Sequence, residues 1–160
     1  MSSTFLSLCA MFPVIYPSMS DYQVRMVCKY EKTIEREASR NDIDPYLLGA
    51  MIFVESSYFP RAESSAGACG LTQVIPKWTG GRETKRKKYT CEQLKRPRTS
   101  IRVGAQVLSY SIRVYAKGDI DKGICYYNAG TICLRKGFKY KRMKYVTKVK
   151  TLWELLQDGC

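Results

Sequence analysis

Residues 44–56 of the chain, with the sequence DPYLLGAMIFVES, predict the central helix of the fold. Asp44 is a favoured residue at a helix N-cap, and Pro45 suits the first helical position, where its missing N–H has no partner to lose. The segment that follows is almost entirely apolar, which is typical of a helix buried in the middle of a domain. It ends at a carboxylate, Glu55, so this residue is the first candidate for chemistry.

Burial would adapt Glu55 to proton transfer. Desolvation disfavours the ionised carboxylate and therefore raises its pKa. A glutamate with a pKa near about 6 can protonate a bound substrate and take up a proton afterwards. The alternative interpretation is a glutamate at a helix end that faces water or accepts hydrogen bonds from Ser56 and Ser57.

Helical patterns flank this segment on both sides. Ser20 and Gln23 form a capping-box pattern at the start of a helix that we expect over residues 21–40. Strand-like alternation is scarce, and residues 60–82 form a loop-rich stretch with many glycines and prolines. We therefore predict a mainly α fold, with further helices over residues 101–116, 119–130 and 139–157.

The first twenty residues are predicted to form an arm. Residues 5–16 are rich in apolar side chains, but no basic segment precedes them, and Pro13 and Pro17 interrupt them. The stretch is too short to span a membrane. We expect an N-terminal arm over residues 1–20, packed on the domain or on a partner protein, and one domain over residues 21–160.

The composition excludes several classes of enzyme. The chain has 160 residues, no histidine and a net charge of +13. Without histidine it cannot hold a Ser-His-Asp triad, a Cys-His pair or a His-ligated zinc site. Most of the positive charge lies in residues 77–150, which favours an anionic partner such as nucleic acid, lipid headgroups or an acidic envelope polymer. The alternative is a solvated surface that aids solubility.

Seven cysteines are dispersed along the chain without a C-x-x-C motif. This spacing argues against a zinc site, and we expect neither a metal nor another cofactor. An odd number of dispersed cysteines favours buried free thiols in a chain that folds in a reducing cytosol. A bridge between Cys125 and Cys133, or one that uses Cys69 or Cys91, remains open.

Several short motifs occur in a characteristic order. After Asn41–Leu48 come the pair Glu55-Ser56, the turn GLTQ at residues 70–73, the segment SIRVG at 100–104, the segment YYNAG at 126–130, and Tyr145-Val146. In this order and spacing the sequence resembles the soluble lytic transglycosylase family, which comprises lysozyme-like enzymes that cleave peptidoglycan. The resemblance covers residues 28–150. It implies a lysozyme-like α+β variant of the mainly α class, with a loop-rich small lobe.

The resemblance also implies roles for individual residues. Glu55 matches the single catalytic acid/base, and Ser56 matches the serine that helps to orient it. The other matches are to residues that bind the glycan in the cleft, namely Gln73, Tyr127, Asn128 and Tyr145.

Three positions depart from the family pattern. Thr72 stands where methionine is usual, so we expect one side of the cleft to be more polar. Tyr126 replaces the usual alanine before the Tyr-Asn pair. Cys69 stands where a larger apolar residue is common.

The family's activity is cleavage of the β-1,4 bond between N-acetylmuramic acid and N-acetylglucosamine, with formation of a 1,6-anhydro ring. The small size, the charge, the thiols and the lack of an evident export signal favour a phage enzyme, made in the host cytoplasm and acting on the periplasmic wall. It would reside in the virion or tail or be released at lysis. Expected partners are peptidoglycan strands, acidic envelope polymers and other virion proteins.

Two rival functions remain at this point. A muramidase would hydrolyse the same bond, with Glu63 or a loop acid as a helper. A non-catalytic peptidoglycan-binding or structural virion protein would keep only the fold. We expect no specific nucleic acid, because no helix-turn-helix, zinc or RNP signature accompanies the basic segment.

Overall fold

A computed structural model describes residues 6–159 of the chain. The mainly α fold predicted from the sequence is confirmed, and among the described residues no helix is both long and apolar enough for a membrane span. The α-helices, in chain order, are α1 (Leu8–Ile15), α2 (Asp21–Arg40), α3 (Pro45–Ser56), α4 (Cys91–Leu94), α5 (Pro97–Tyr110), α6 (Ile120–Ala129) and α7 (Lys144–Asp158). Four short 3-10 turns lie at Pro76–Trp78, Arg82–Thr84, Gly130–Leu134 and Tyr140–Arg142, and a π-helical turn, Ser111–Tyr115, extends α5.

Helix α3 is the buried centre of the fold. Leu48, Ala50 and Ile52 are fully buried, and α3 packs against both α2 and α7. Burial of each large apolar side chain stabilises the fold by about 1.5–3 kcal/mol. The predicted cap is present, because the Asp44 carboxylate accepts a hydrogen bond from the Tyr46 N–H at 2.7 Å.

Helix α7 is tied to α3 at both ends. The second carboxylate oxygen of Asp44 accepts hydrogen bonds from the Trp153 Nε1 at 2.9 Å and the Gln157 Nε2 at 2.8 Å. At the other end of α3, the Tyr145 hydroxyl donates to the Glu55 carboxylate. The start of one helix therefore meets the end of the other, so the two helices run antiparallel.

The N-terminal segment contributes to the same core. Leu8 and Phe12 of α1 are fully buried, and the Phe12 ring centroid lies 5.4 Å from that of Phe53 on α3. The Glu31 carboxylate of α2 accepts hydrogen bonds from the Ser7 hydroxyl and the Cys9 N–H, both at 2.7 Å. The boundary between an arm and a domain at residue 20 stays a prediction, and the first five residues of that arm lie outside the described residues.

The expectation of free thiols is wrong for six of the seven cysteines. Disulfides join Cys9 to Cys28, Cys69 to Cys91 and Cys125 to Cys133, with Cα–Cα distances of 4.5, 5.5 and 5.9 Å. Each pair joins two different elements, which is why the spacing along the chain did not reveal most of the pairing. The seventh cysteine, Cys160, lies outside the described residues.

The small lobe lies between α3 and α5 and is largely loop. Isolated β-bridges pair Cys69 with Glu63 and with Val74. A second core cluster forms under this lobe from Cys69, Val74, Tyr89, Leu94 and Val103. The bridge from Cys69 to Cys91 therefore fastens the lobe to α4 through its own core.

Removal of the bridge between the lobe and α4 should destabilise the chain. We expect the Cys69→Ala/Cys91→Ala variant to lose about 3 kcal/mol of unfolding free energy, since the bridge constrains a loop of moderate length in the unfolded chain. Urea unfolding of the oxidised proteins measures the difference. As a control, reducing agent should lower the stability of the wild type more than that of the variant. Coincident unfolding curves of the wild type with and without reducing agent would contradict the pairing.

Candidate active site

A cleft with a volume of about 710 Å³ opens beside the C-terminal end of α3. Its walls come from the small lobe, from α5 with its π-helical turn, and from α6 with the 3-10 turn that follows it. Glu55 is the residue of α3 that lines this cleft.

Glu55 is placed for proton transfer by its surroundings. Burial at the end of α3 raises its pKa to about 7, while the hydrogen bond from the Tyr145 hydroxyl acts in the opposite direction. Burial prevails, as the apolar run before Glu55 predicts. Both the protonated and the ionised carboxylate are therefore populated near neutral pH.

Two half-buried tyrosines lie beside this carboxylate without adding charge. The Tyr127 hydroxyl donates to the Thr72 carbonyl at 2.6 Å, and Tyr145 reaches Glu55 from α7. Burial raises the pKa of both phenols well above the ordinary value, and the nearby Glu55 charge raises it further. Both tyrosines thus stay neutral hydrogen-bond donors, and three helices (α3, α6 and α7) converge on one carboxylate.

Ser56 forms hydrogen bonds with backbone carbonyls near Glu55. Its buried hydroxyl lies 2.8 Å from the Leu71 carbonyl and 3.1 Å from the Ile52 carbonyl. These contacts fasten the last turn of α3 to the small lobe, and thereby hold the backbone that carries Glu55. Direct binding of substrate by Ser56 stays a prediction.

Gln73 and Asn128 both line the cleft. The Gln73 Nε2 donates to the Ala62 carbonyl at 3.1 Å and to the Gly70 carbonyl at 2.9 Å, so its amide nitrogen organises the lobe. Asn128 is exposed near the end of α6, next to Tyr127. Their role in substrate binding, like that of Tyr127 and Tyr145, stays a prediction.

The expected polar contribution of Thr72 to the cleft is wrong. The Thr72 side chain is fully buried, and its hydroxyl lies 2.9 Å from the Ser100 carbonyl, to which it donates. Its N–H also donates to the Ser100 hydroxyl at 3.1 Å. A Cβ atom on Gly104 would lie 2.4 Å from the Thr72 Cβ. Ser100 and Gly104 of the SIRVG segment therefore allow the lobe to pack closely against α5.

A family model for the transglycosylase SLT domain matches residues 32–149. The chain belongs to the SLT domain family. It is 27% identical over 128 residues to membrane-bound lytic murein transglycosylase E of Buchnera aphidicola, covering 74% of this chain and 58% of that protein. It is also 27% identical over 147 residues to endo-type membrane-bound lytic murein transglycosylase A of Salmonella paratyphi B, covering 85% of this chain and 72% of that protein.

Among solved structures, the SLT chain is similar to an inactive glutamate-to-glutamine mutant of the lytic transglycosylase Slt from Pseudomonas aeruginosa. The TM-score is 0.62 at 21% identity, over 92% of this chain and 25% of that one. The likeness confirms the lysozyme-like fold. The SLT chain thus spans a quarter of that structure and 58% of the Buchnera protein.

Two carboxylates of the SLT domain line the cleft among residues 6–159, namely Glu55 and Glu83. Glu63, the nearest acid after Glu55 in the sequence, instead pairs with Lys95 at 2.9 Å outside the cleft lining. Glu63 also lies near Cys69 and Cys91, but the disulfide leaves these two sulfurs without the thiolate that binds metal ions.

Sequence reasoning missed further residues of the cleft. Trp78, Glu83 and Tyr115 line it, although no motif contains them. Trp78 and Glu83 belong to short turns among basic residues, and Tyr115 belongs to the π-helical turn. A tryptophan among basic and glycine residues was the one signal that the sequence offered.

The hydrogen bond from Tyr145 should control the pKa of Glu55 in the SLT domain. We expect Tyr145→Phe to raise this pKa above its value of about 7. The hydrogen bond that the variant lacks stabilises the ionised carboxylate, so its removal disfavours ionisation. NMR titration of the Glu55 side-chain carbon measures the change. Tyr140→Phe, which removes a hydroxyl bonded to Asp119, is the matched control and should leave Glu55 unaffected. Identical titrations of Glu55 in both variants would show that the bond has no such effect.

Proposed function

We propose that the chain is a peptidoglycan lytic transglycosylase that cleaves the β-1,4 bond between N-acetylmuramic acid and N-acetylglucosamine. The observation that carries this proposal is Glu55, one partly buried carboxylate that titrates near neutrality at the wall of a cleft. Two relatives named as lytic murein transglycosylases support it. Further support is that Slt, which shares the fold, is inactive as a glutamate-to-glutamine mutant.

In the first step, protonated Glu55 donates its proton to the glycosidic oxygen. The bond from this oxygen to the anomeric carbon of the muramoyl residue then breaks, and N-acetylglucosamine leaves with the proton. The acetamido group of the muramoyl residue stabilises the anomeric carbon. The Tyr145 hydroxyl stabilises the carboxylate that Glu55 has become, because it donates to the ionised oxygen.

In the second step, ionised Glu55 takes the proton from the muramoyl 6-hydroxyl. The oxygen of that hydroxyl attacks the anomeric carbon and closes the 1,6-anhydro ring. Glu55 returns to its protonated form, so the cycle consumes no water. One group serves as acid and then as base, which a pKa of about 7 suits better than the ordinary value of 4.5.

A muramidase is the second candidate, and one observation favours it. Glu83 lines the same cleft as Glu55, and hydrolases that cleave glycosidic bonds commonly use two carboxylates. In that reaction Glu83 would activate a water molecule. The products distinguish the two reactions.

We propose the bacterial envelope as the place of action and a phage, in entry or lysis, as the biological setting. Three disulfides suit an oxidising compartment such as the periplasm. The charge of +13 supports a phage lysin, with virion proteins as further partners. Detection of the chain in purified virions would support residence in the particle, and its absence there would leave release at lysis.

The basic surface supports acidic envelope polymers as additional partners. Exposed lysines and arginines are concentrated between the 3-10 turn Gly130–Leu134 and the first turns of α7, and they include Arg135, Lys136, Lys139, Lys141, Arg142, Lys144 and Lys148. Such a surface attracts the phosphate and carboxylate groups of the wall.

Salt should therefore weaken lysis of intact walls. We expect the lysis rate to fall several-fold as the ionic strength rises from about 0.05 M to about 0.5 M, because screening shortens the reach of these charges. Turbidity of a cell-wall suspension measures the rate. Walls stripped of their phosphorylated polymers are the control and should show a smaller effect. A lysis rate independent of salt would make the charge a solubility feature.

Digestion of purified peptidoglycan tests the proposed reaction. We expect products that end in 1,6-anhydro-N-acetylmuramic acid, which mass spectrometry distinguishes because they are lighter by one water than hydrolysis products. Glu55→Gln should lower the rate roughly 10²–10⁴-fold, since the amide cannot transfer the proton. Reducing ends alone would establish the muramidase, and a fully active Glu55→Gln variant would exclude this site.

The unfolding free energy of Glu55→Gln shows whether a loss of activity in this variant comes from the missing proton transfer or from unfolding. Burial raises the pKa of Glu55 from 4.5 to about 7, so the cost of ionising this carboxylate in the folded chain grows from about pH 4.5 upward and is complete above about pH 7. Glu55→Gln should then be more stable than the wild type by up to about 3 kcal/mol at pH 8, with the difference vanishing below pH 4.5. A non-catalytic protein that binds the wall would show the same stability effect but no products from the wild type.

A further inference from the structure

The Trp78 side chain lines the cleft and is largely exposed to water. The indole ring is 65% exposed and contributes to the same cleft lining as Glu55. Water contact is unfavourable for so large an apolar surface. An exposed aromatic ring inside a concave site is therefore a candidate for contact with a ligand.

The backbone that carries Trp78 is fixed on both sides. The 3-10 turn Pro76–Trp78 is closed by the Trp78 N–H, which donates to the Ile75 carbonyl at 3.0 Å. The next residue, Thr79, is buried, and its hydroxyl donates to the Pro76 carbonyl at 2.7 Å and accepts from the Tyr89 N–H at 2.9 Å. Little backbone freedom remains to be lost when a ligand contacts the ring, which favours binding.

One face of the indole already has a neighbour. The Lys77 Nζ lies 5.0 Å from the Trp78 ring centroid, in the arrangement of a cation over an aromatic face. Lys77 is exposed and lies outside the cleft lining, whereas Trp78 belongs to it. The ammonium therefore occupies only part of the indole surface, and Trp78 keeps 65% of its surface exposed.

A second aromatic group lines the same cleft. The Tyr126 ring stacks on Tyr115 with centroids 4.1 Å apart, and Tyr115 packs edge-on against Tyr110 at 5.3 Å. The π-helical turn Ser111–Tyr115 supplies Tyr115, and such turns are frequent at functional sites. Burial raises the pKa of Tyr126 to about 12, and a hydrogen bond with Tyr115 raises it as well, so its hydroxyl stays protonated.

We propose that Trp78 is the platform of an additional sugar-binding subsite, on which an N-acetylhexosamine ring of the glycan strand stacks. The C–H face of such a ring is apolar and fits an aromatic face, while its hydroxyl and acetamido groups need polar partners. Tyr126, held by Tyr115, supplies a rigid hydroxyl in the same cleft. This subsite rests on the proposed function, since its occupant is a sugar of the strand that Glu55 cleaves.

Trp78 provides its own fluorescent signal for binding. The chain has two tryptophans, and Trp153 donates its Nε1 to Asp44 at the far end of α3 from Glu55. In the non-cleaving Glu55→Gln background, we expect the N-acetylglucosamine hexamer to quench and blue-shift the emission. Adding Trp78→Phe should remove this change, and adding Trp153→Phe should keep it. Should Trp153→Phe fail to fold, the comparison with and without Trp78→Phe suffices.

Cleavage kinetics provide the second test. On soluble peptidoglycan strands, Trp78→Ala should raise KM about tenfold, equivalent to about 1.4 kcal/mol, with kcat changed less than about twofold. Trp78→Phe should recover part of this loss because it restores a ring. Phe59→Ala is the matched control, since Phe59 is 45% exposed but stacks on Tyr22 outside the cleft lining, and it should leave KM unchanged.

The possible outcomes separate this subsite from the proposed function. An unchanged KM in Trp78→Ala, or a fluorescence change that survives Trp78→Phe, would overturn the subsite while the transglycosylase stands. A wild type that releases no product would overturn the proposed function. The fluorescence titration would still report whether Trp78 binds a sugar.

Discussion

The antiparallel pairing of α3 with α7 is the constraint on which the site depends. Asp44 at the start of α3 accepts hydrogen bonds from Trp153 and Gln157, and Glu55 at its end accepts one from Tyr145. Between these contacts the helix is buried. The backbone of Glu55 therefore cannot shift without disturbing the core, and the hydrogen bond from Tyr145 holds its carboxylate. Its raised pKa follows from this placement.

The other elements complete the environment of that carboxylate. Ser56 fastens the end of α3 to the lobe, Tyr127 joins α6 to the lobe through the Thr72 carbonyl, and Thr72 is held in turn by Ser100 on α5. The short motifs of the sequence are thus parts of one connected hydrogen-bond arrangement around the cleft. Several of them act through backbone carbonyls, namely those of Leu71, Thr72 and Ser100.

The parts of the fold with local signals could be predicted from the sequence. The Asp44 cap, the apolar run of α3 and the capping box of α2 each depend on residues close together in the chain. The direction in which the Thr72 side chain points depends on a partner in α5, and the disulfides depend on how helices meet, so composition and spacing misled there. No local sequence pattern marks Trp78 and Glu83 as cleft residues. They reach the cleft only through the packing of the small lobe.

Because disulfides brace the cleft, its stiffness depends on whether the solution around the protein is oxidising or reducing. One bridge fastens Cys69, beside the lobe residues of the cleft, and another joins Cys125 in α6 to Cys133 in the turn that follows. In a reducing cytoplasm a newly made chain would hold neither covalent tie. The stiffness of the cleft therefore depends on the redox state of the chain, because the reduced form lacks both covalent ties and the oxidised form holds them.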